Sequence, residues 1–261
     1  MARSLQPEDI IGHWADWSAG LGSEPVILDE LSGGRSNRSY LLSSDIGKLV
    51  LRINGSGSLL PGANRDSESR VWQEAGKQGI APPLVFVDAQ NQYLVSRYIN
   101  NELPPEPHLN PACVEQALSL LHRTHLLDID APVINYFDHI EHYWGIIESR
   151  DKPPGPTLIK QRKTMQSVLE SLLKNTPTGF CHHDPVTANF IGSPCRLYLI
   201  DWEYAAIGLQ IMDYAALATE WRLDNATVLE RTNIEPGLLI EATALYRYLC
   251  LLWNEATDQV P

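Results

Sequence analysis

Apolar and polar residues alternate over short runs in the first hundred positions, with Gly, Ser and Asn between the runs. This period-two pattern predicts half-buried strands joined by turns. Three strands are predicted at residues 26–31, 39–43 and 48–53, and two more at 84–88 and 92–98. Residues 66–78 have a helix-favouring composition and end near Gly79, which predicts one helix among the strands.

The pattern of apolar and polar residues changes near residue 100, where the segment NNELPPEPHLNP forms a polar connector with four prolines. Helical periodicity dominates most of the remaining chain, with a helix start at Pro111 and a helix over 157–174. Short apolar runs at 190–192 and 197–200 predict a hairpin, and residues from 212 onward are mostly helical. The prediction is an α+β chain with an N-terminal lobe at 1–98 and a helical C-terminal lobe at 99–261.

Composition narrows the possible partners of the 261-residue chain. Its formal net charge of −12 argues against sequence-independent binding to nucleic acid, which needs Lys and Arg on the phosphates. The same charge either favours a cationic ligand or serves solubility. A small molecule is therefore the expected partner, and the sequence leaves the oligomeric state open.

The cysteines and the apolar runs indicate where the protein resides. The four cysteines are scattered without a CxxC pair, which indicates reduced thiols. The N-terminal residues carry several acids and no long apolar core, unlike a secretory signal. The most apolar stretch, 240–253, is interrupted by Glu241 and Arg247 and is too short to span a bilayer. A cytoplasmic protein without a membrane partner is expected.

The segment CHHDPVTANFIGSPCRLYLIDWEY, at 181–204, carries the candidate chemistry. His182, Asp184 and Asn189 form H-x-D-x-x-x-x-N, and Asp201 lies at the end of the apolar strand beyond them. Phosphoryl transfer needs an acceptor for the hydroxyl proton and oxygen ligands for Mg²⁺. Asp184 can be that catalytic base, and Asn189 and Asp201 can be the metal ligands.

This arrangement resembles the aminoglycoside phosphotransferase and choline kinase superfamily, whose fold is that of the protein kinases. The segment LSGGRSNRSYLL (31–42) resembles the family's glycine-containing loop, and LVLRI (49–53) the strand with the phosphate-binding base. LVSRYIN (94–100) resembles the adenine hinge, and LIDWEYAAIGLQIMDYAALATEW (199–221) resembles the bacterial thiamine kinase and choline kinase branch. The resemblance covers roughly residues 26–222 and implies ATP and Mg²⁺ as cofactors.

The resemblance also implies roles for residues outside the motif. Arg52 is expected on the phosphates and Glu68 is expected to pair with Arg52. The remaining nucleotide-binding candidates are Gly34, Asn37, Ser96 and Tyr98. Two positions depart from relatives: Arg52 stands where many have Lys, and His183 stands where aminoglycoside-type enzymes usually have Gly. An Arg can bind phosphate bidentately but is not geometrically equivalent to Lys.

Several histidines and one aspartate near the motif have expected structural roles, and some of them have alternatives. His182 is expected to brace the loop by hydrogen bonding, whereas His183 either lines the substrate site or is exposed. Asp213 is expected to cap the helix that begins there and to brace the catalytic loop. The helically spaced pairs His122/His125 and His139/His142 could bind a metal, but packing or solvent exposure is favoured.

Candidate substrate residues lie shortly after Asp201. Aromatic faces beside carboxylates attract a quaternary ammonium or a thiazolium through cation–π and Coulomb attraction. The candidates are Trp202, Glu203, Tyr204, Glu220 and Trp221. The alternative is that both tryptophans are core residues and both glutamates are surface charges.

The predicted function is an ATP-dependent phosphotransferase acting on the hydroxyl of a small, cationic metabolite of the thiamine or choline/ethanolamine type. An aminoglycoside or sugar-hydroxyl kinase is the enzymatic alternative. A pseudokinase that binds nucleotide without transfer is the alternative from another class, and the presence of Asp184, Asn189 and Asp201 argues against it.

Overall fold

The computed structural model describes residues 5–17, 20–31, 37–55, 65–151 and 153–257. The predicted glycine-loop residues Gly33 and Gly34 lie outside these ranges. The helices are α1 Pro7–Ile11, α2 Arg65–Lys77, α3 Pro111–His125, α4 Tyr136–Glu148, α5 Pro156–Asn175, α6 Gln210–Glu220, α7 Asn225–Leu229 and α8 Pro236–Thr257. The strands are β1 Val26–Leu31, β2 Asn37–Ser43, β3 Leu49–Asn54, β4 Leu84–Val87, β5 Tyr93–Arg97, β6 Thr178–Cys181, β7 Phe190–Ser193, β8 Arg196–Leu199 and β9 Ala206–Leu209.

The N-terminal region is a five-stranded antiparallel sheet in the order β1-β2-β3-β5-β4. Tyr40 of β2 pairs with Leu51 of β3, which pairs with Val95 of β5. All three side chains are buried in one apolar cluster, together with Trp17 from a short 3₁₀ helix. The shared burial fixes the register, because a one-residue slip would turn each strand's apolar set to solvent.

Helix α2 packs between the sheet and the C-terminal helices. Its buried residues Val71, Trp72 and Ala75 belong to a cluster that also contains Leu199 and Trp202. Helix α2 ends at Lys77. Gly79, two residues later, has a φ of +65°, the left-handed conformation that glycine adopts at helix C-termini. This packing carries Glu68, on the first turn of α2, toward the segment after β8.

The C-terminal region is mainly helical, with two small antiparallel pairs, β6–β9 and β7–β8. Asn110 and Asn135 cap α3 and α4, because each side-chain oxygen accepts two backbone N–H groups of its helix. Helix α8 packs against α4, α5 and α6 in a second large apolar cluster. The loop with Asp184 and the turn with Asp201 therefore follow two short strands, β6 and β8, which are supported by helices.

The predicted α+β, protein-kinase-like architecture is confirmed, and the five N-terminal strands and α2 lie within two residues of their predicted bounds. The predictions included no bounds for α4 and did not include the β6–β9 pair. Helix α6 begins at Gln210, two residues earlier than expected. Across the described residues, no helix is both long and apolar enough to cross a membrane. The lobe boundary at 98/99 stays a prediction.

Candidate active site

The loop between β6 and β7 is anchored by Asp213, a fully buried residue of α6. Its carboxylate accepts the backbone N–H groups of His182 and His183, both at 2.8 Å, and lies 3.0 Å from His125 Nε2. Burial alone would raise the pKa of Asp213, but the hydrogen bond and charge of His125 outweigh it and hold this pKa at about 2. Asp213 is therefore a charged brace beneath the loop.

Asp213 does only part of what the sequence predicted. Bracing of the loop is present, but Asp213 does not cap α6. The helix starts at Gln210 and is preceded by Leu209, which makes no side-chain cap. The cap prediction was wrong because the carboxylate is already occupied by the two loop N–H groups and by His125.

His182 braces the loop by hydrogen bonding, as predicted. Its Nε2 lies 3.1 Å from the carbonyl oxygen of Ile200, and its Nδ1 accepts the backbone N–H of Asp184 at 3.3 Å. Burial lowers the pKa of His182 to about 4, so the ring is neutral and Nε2 carries the proton. The ring thus links the loop to the residue before Asp201 without taking part in proton transfer.

His183 is not exposed. It adopts a φ of +65°, and its Nε2 lies 2.9 Å from the hydroxyl of Tyr136. A Cβ at Gly208 would approach this nitrogen to 2.6 Å, so only glycine leaves room for the ring. The Tyr136 hydroxyl also accepts the backbone N–H of Leu209. His183 consequently fixes the loop against α4 and β9, which excludes the exposed alternative.

Asp184 and Asn189 are in direct contact. The amide Nδ2 of Asn189 donates to Asp184 Oδ2 at 2.8 Å and to the Asp184 carbonyl oxygen at 2.9 Å. Because Nδ2 faces Asp184, Oδ1 is the Asn189 atom that could ligate a metal. Burial raises the pKa of Asp184 to about 7, and the nearby charge of Asp201 adds to this rise. Asp184 and Asn189 are therefore paired, and Asp201 lies close enough for its charge to act on Asp184.

Arg52, Glu68 and Asp201 form a second contact chain. Arg52 Nη2 lies 2.6 Å from Glu68 Oε1, and Arg52 Nη1 lies 3.7 Å from Asp201 Oδ1. Arg52 and Glu68 are both buried, and the guanidinium also lies over the Trp72 ring. The structure thus brings the predicted phosphate-binding base and its predicted partner together beside the predicted metal ligand.

The oxygen donors at this point suit Mg²⁺. Among the described residues, Asp201 Oδ1 is a buried oxygen without a hydrogen-bond partner. Asp201 also has a φ of +66°, a conformation that a non-glycine residue adopts at some energetic cost. A carboxylate and an amide oxygen are hard ligands of the kind Mg²⁺ prefers. Asp201 and Asn189 are therefore the residues that fit this ion.

Arg65 is a site residue that the sequence did not predict. Its Nη1 lies 2.9 Å from Glu68 Oε2 and 3.3 Å from Glu203 Oε2, and its Nη2 donates to Asn37 Oδ1 at 2.9 Å. Burial raises the pKa of Glu203 to about 7, with Asp201 adding to the rise and Arg65 opposing it. The i,i+3 spacing of Arg65 and Glu68 was a signal that could have found this pair.

The nucleotide-binding candidates lie at different depths. Gly34 lies outside the described residues, and Asn37 contacts Arg65 at the start of β2. Ser96 is buried on β5, and the Tyr98 N–H donates to the carbonyl oxygen of Lys48. Their roles toward adenine and phosphate stay predictions.

The substrate candidates divide into buried and accessible residues. Trp202 and Trp221 are 0% and 1% exposed and belong to the main core cluster, so the prediction that their faces receive a cation was wrong. Glu203 is buried and pairs with Arg65, whereas Glu220 is exposed and accepts the hydroxyl of Tyr246 at 3.1 Å. Tryptophan fills core space as readily as it lines a site, and sequence alone does not separate the two.

Tyr204 and Tyr246 are only partly buried, unlike the two tryptophans. Burial raises the pKa of Tyr204 above its ordinary value, and the charges of Glu203 and Asp184 add to this rise. Burial and the Glu220 charge likewise raise the pKa of Tyr246. Glu220 in turn contributes to the raised pKa of Asp184. Asp184, Glu220 and the two tyrosines therefore lie in one electrostatic neighbourhood.

The histidine pairs divide between packing and solvent exposure, since His122 and His142 are exposed. His125 bonds to Asp213, and His139 packs edge-on to Tyr143 with ring centroids 4.8 Å apart. Side-chain atoms of His125, Cys181 and Asp213 lie within 4.8 Å of one another, a spacing open to a metal. Burial raises the pKa of the Cys181 thiol well above its usual value, and the Asp213 oxygens already have hydrogen-bond donors. These contacts favour packing or solvent exposure of the histidine pairs over metal binding.

A model of the phosphotransferase enzyme family matches residues 28–245, which is most of the chain. The chain belongs to this family. The family is one of phosphotransferases, which is the enzyme class that the sequence predicted.

The individual proteins that match this chain have low sequence identity to it. Protein LicA of Haemophilus influenzae is 26% identical over 195 residues, which are 73% of this chain and 57% of that protein. The chain therefore spans little more than half the length of that relative. A second LicA from the same species is 26% identical over 72% of each chain.

Solved structures show the same fold. A choline/ethanolamine kinase family protein from Mesorhizobium loti superposes with a TM-score of 0.73 at 24% identity, covering 92% of this chain and 83% of that one. Choline kinase LicA from Streptococcus pneumoniae gives 0.71 at 22%, covering 89% and 87%. Aminoglycoside 2′-phosphotransferase-IIIa gives 0.65 at 14%, covering 95% and 99%.

Proposed function

We propose that the chain is an ATP-dependent kinase that phosphorylates the hydroxyl of a small cationic alcohol of the choline type. The observation that carries this proposal is the joining of two contact chains, Asp184–Asn189 and Glu68–Arg52–Asp201. The backbone N–H of Ile200, the residue before Asp201, donates to the carbonyl oxygen of Asn189 at 3.0 Å, so the two chains lie at one site. Such a site holds the parts that phosphoryl transfer requires.

In the proposed mechanism Asp184 orients the acceptor hydroxyl and accepts its proton as the oxygen attacks the γ-phosphorus, whose bond to the bridging oxygen breaks so that ADP leaves. Asn189 holds the carboxylate in place through its Nδ2 hydrogen bond. Arg52, fixed by Glu68, places a guanidinium on the phosphates. Asn189 and Asp201 would hold Mg²⁺, which neutralises charge that develops on the phosphate oxygens.

A family relationship to nucleotide-dependent enzymes supports ATP as the phosphoryl donor. One solved structure with this fold is described as LicA in complex with AMP, and it superposes with a TM-score of 0.71 at 20% identity. The positions of Ser96 and Tyr98 at the end of β5 are compatible with the proposed adenine contact. A cytoplasmic location is proposed with the function, because ATP is supplied there.

The acceptor is proposed from the groups around Asp184. Glu220 offers an exposed carboxylate, and Tyr204 and Tyr246 offer aromatic rings in the same neighbourhood. This combination attracts a quaternary ammonium. Choline and ethanolamine are preferred over thiamine because two of the structural relatives are choline or choline/ethanolamine kinases. Thiamine remains the alternative cationic acceptor.

A substrate panel tests the proposed cation preference. We expect choline to exceed 3,3-dimethyl-1-butanol, its uncharged isostere, by about 30-fold in kcat/KM, the value of a desolvated cation–π contact near 2 kcal/mol. The measurement is coupled ADP release with choline, its isostere, ethanolamine, thiamine and kanamycin. Glu220→Gln should lower the rate with choline and leave the rate with the isostere nearly unchanged.

Other outcomes of the panel would replace the proposal. Equal kcat/KM values for choline and its isostere would remove the cationic acceptor. A preference for kanamycin would favour the aminoglycoside kinase. Absence of ADP release with every alcohol, in a chain that binds nucleotide, would favour the pseudokinase.

A further inference from the structure

Arg65 joins three parts of the chain at the proposed nucleotide site. It is the first residue of α2, and its side chain is only 13% exposed. The guanidinium reaches Glu68 on its own helix, Asn37 at the start of β2, and Glu203 beyond β8. A planar guanidinium can serve several acceptors at once, which a Lys ammonium cannot do with the same geometry.

Charge at the site is unbalanced without Arg65. Glu68 is shared, with Oε1 against Arg52 and Oε2 against Arg65. Arg52 also faces Asp201, so its charge is already divided between two carboxylates. Among the described residues, Arg65 is the cation within 4 Å of Glu203. Without Arg65 the buried Glu203, two residues beyond Asp201, would have to remain an unpaired carboxylate or take up a proton.

We propose that Arg65 is a positioning residue for nucleotide binding, which neutralises Glu203 and holds Asn37 and Glu68 in place before a divalent ion arrives. This inference rests on the proposed nucleotide site. A triphosphate that approaches carboxylates without counter-ions is repelled. Arg65 reduces this repulsion because it neutralises a carboxylate of the protein. A divalent ion that binds with the nucleotide would reduce the same repulsion.

The test measures nucleotide affinity with and without Mg²⁺. Removal of the Arg65 charge should weaken binding of a methylanthraniloyl-ATP probe about tenfold in EDTA, the size of one lost charged contact. With saturating Mg²⁺ the loss should shrink to about threefold, because the ion compensates Glu203. The variant is Arg65→Gln, and the measurement is a fluorescence titration that requires no turnover.

Two further variants sharpen the result. Adding Glu203→Gln to Arg65→Gln should restore affinity in EDTA to within about threefold of wild type, because the unpaired carboxylate is gone. Arg65→Lys keeps the charge and should fall between wild type and Arg65→Gln. If Arg65→Gln does not fold, the affinity of Arg65→Lys relative to wild type, in EDTA and with Mg²⁺, tests the same Mg²⁺ dependence, with the larger loss expected in EDTA.

The matched control is Arg70→Gln, on the same helix. Arg70 is exposed and pairs only loosely with Asp130 at 3.8 Å, so its loss should change affinity less than about twofold in both conditions. An Arg65→Gln variant that behaves like this control would overturn the inference. Equal losses with and without Mg²⁺, or no rescue by Glu203→Gln, would also overturn it. Wild-type protein that binds no nucleotide would instead overturn the proposed function.

Discussion

Replacement of Asp184 by Asn is expected to lower kcat about 10³-fold, because the amide cannot accept the proton of the attacking hydroxyl. Nucleotide affinity should change little, since Asn189 can still donate to an amide oxygen at this position. The measurement is single-turnover phosphoryl transfer to choline, with nucleotide binding followed in parallel. The separation of the two quantities is the essential result.

The matched control is Asp130→Asn. Asp130 is a fully exposed carboxylate whose side chain is 98% accessible, and its replacement should leave kcat unchanged. Turnover of Asp184→Asn close to the wild-type rate would remove Asp184 as the base. A loss confined to nucleotide affinity would assign it to binding instead.

The second large effect is expected for Asp213→Asn, which should destabilise the chain by about 3 kcal/mol. The neutral amide has one acceptor oxygen in place of two, so it cannot serve both the His182 and His183 N–H groups and pair with His125. Urea unfolding at pH 7 measures the loss. Activity should fall as well, since these groups position Asp184.

The difference between wild type and Asp213→Asn should depend on pH. The pKa of Asp213 is about 2 in the folded chain, below the ordinary 3.8. A carboxylate with a lowered folded pKa stabilises the fold above its unfolded pKa, and this stabilisation is lost as pH falls from about 4 toward 2. The gap between the two proteins should therefore be smaller at pH 3 than at pH 7.

Asp224→Asn is the matched control for this substitution. Asp224 caps α7 through the backbone N–H of Thr227, and Asn caps helices about as well as Asp. Its stability should stay close to wild type. Unfolding curves of Asp213→Asn and Asp224→Asn that coincide at pH 7 would show that Asp213 does not brace the catalytic loop.

Local patterns were sufficient to predict the N-terminal sheet and α2. Alternation places Tyr40, Leu42 and Leu51 on a buried face, and Gly79 supplies the conformation needed to end α2. The spacing of Asp184, Asn189 and Asp201 was also readable, because it lies within one short segment. The β7–β8 hairpin returns the chain to Asn189, whose carbonyl oxygen accepts the N–H of Ile200, the residue before Asp201, at 3.0 Å.

Features that depend on distant contacts could not be predicted in the same way. Strands β6 and β9 have four residues each and are stable only through pairing across an intervening hairpin. Arg65 becomes a site residue through contacts with Asn37 and Glu203, which lie far from it in sequence. The burial of Trp202 and Trp221 depends on how α2 and α3 pack against the catalytic segment.

The proposed metal-nucleotide site can be probed with Mn²⁺, whose binding is followed by electron paramagnetic resonance in the presence of a non-hydrolysable ATP analogue. We expect Asn189→Ala and Asp201→Asn each to weaken Mn²⁺ binding about tenfold or more, because each removes or neutralises a hard oxygen ligand. Asp130→Asn should bind as wild type does. Equal Mn²⁺ affinity in wild type and in both site variants would contradict the site on which the kinase assignment rests.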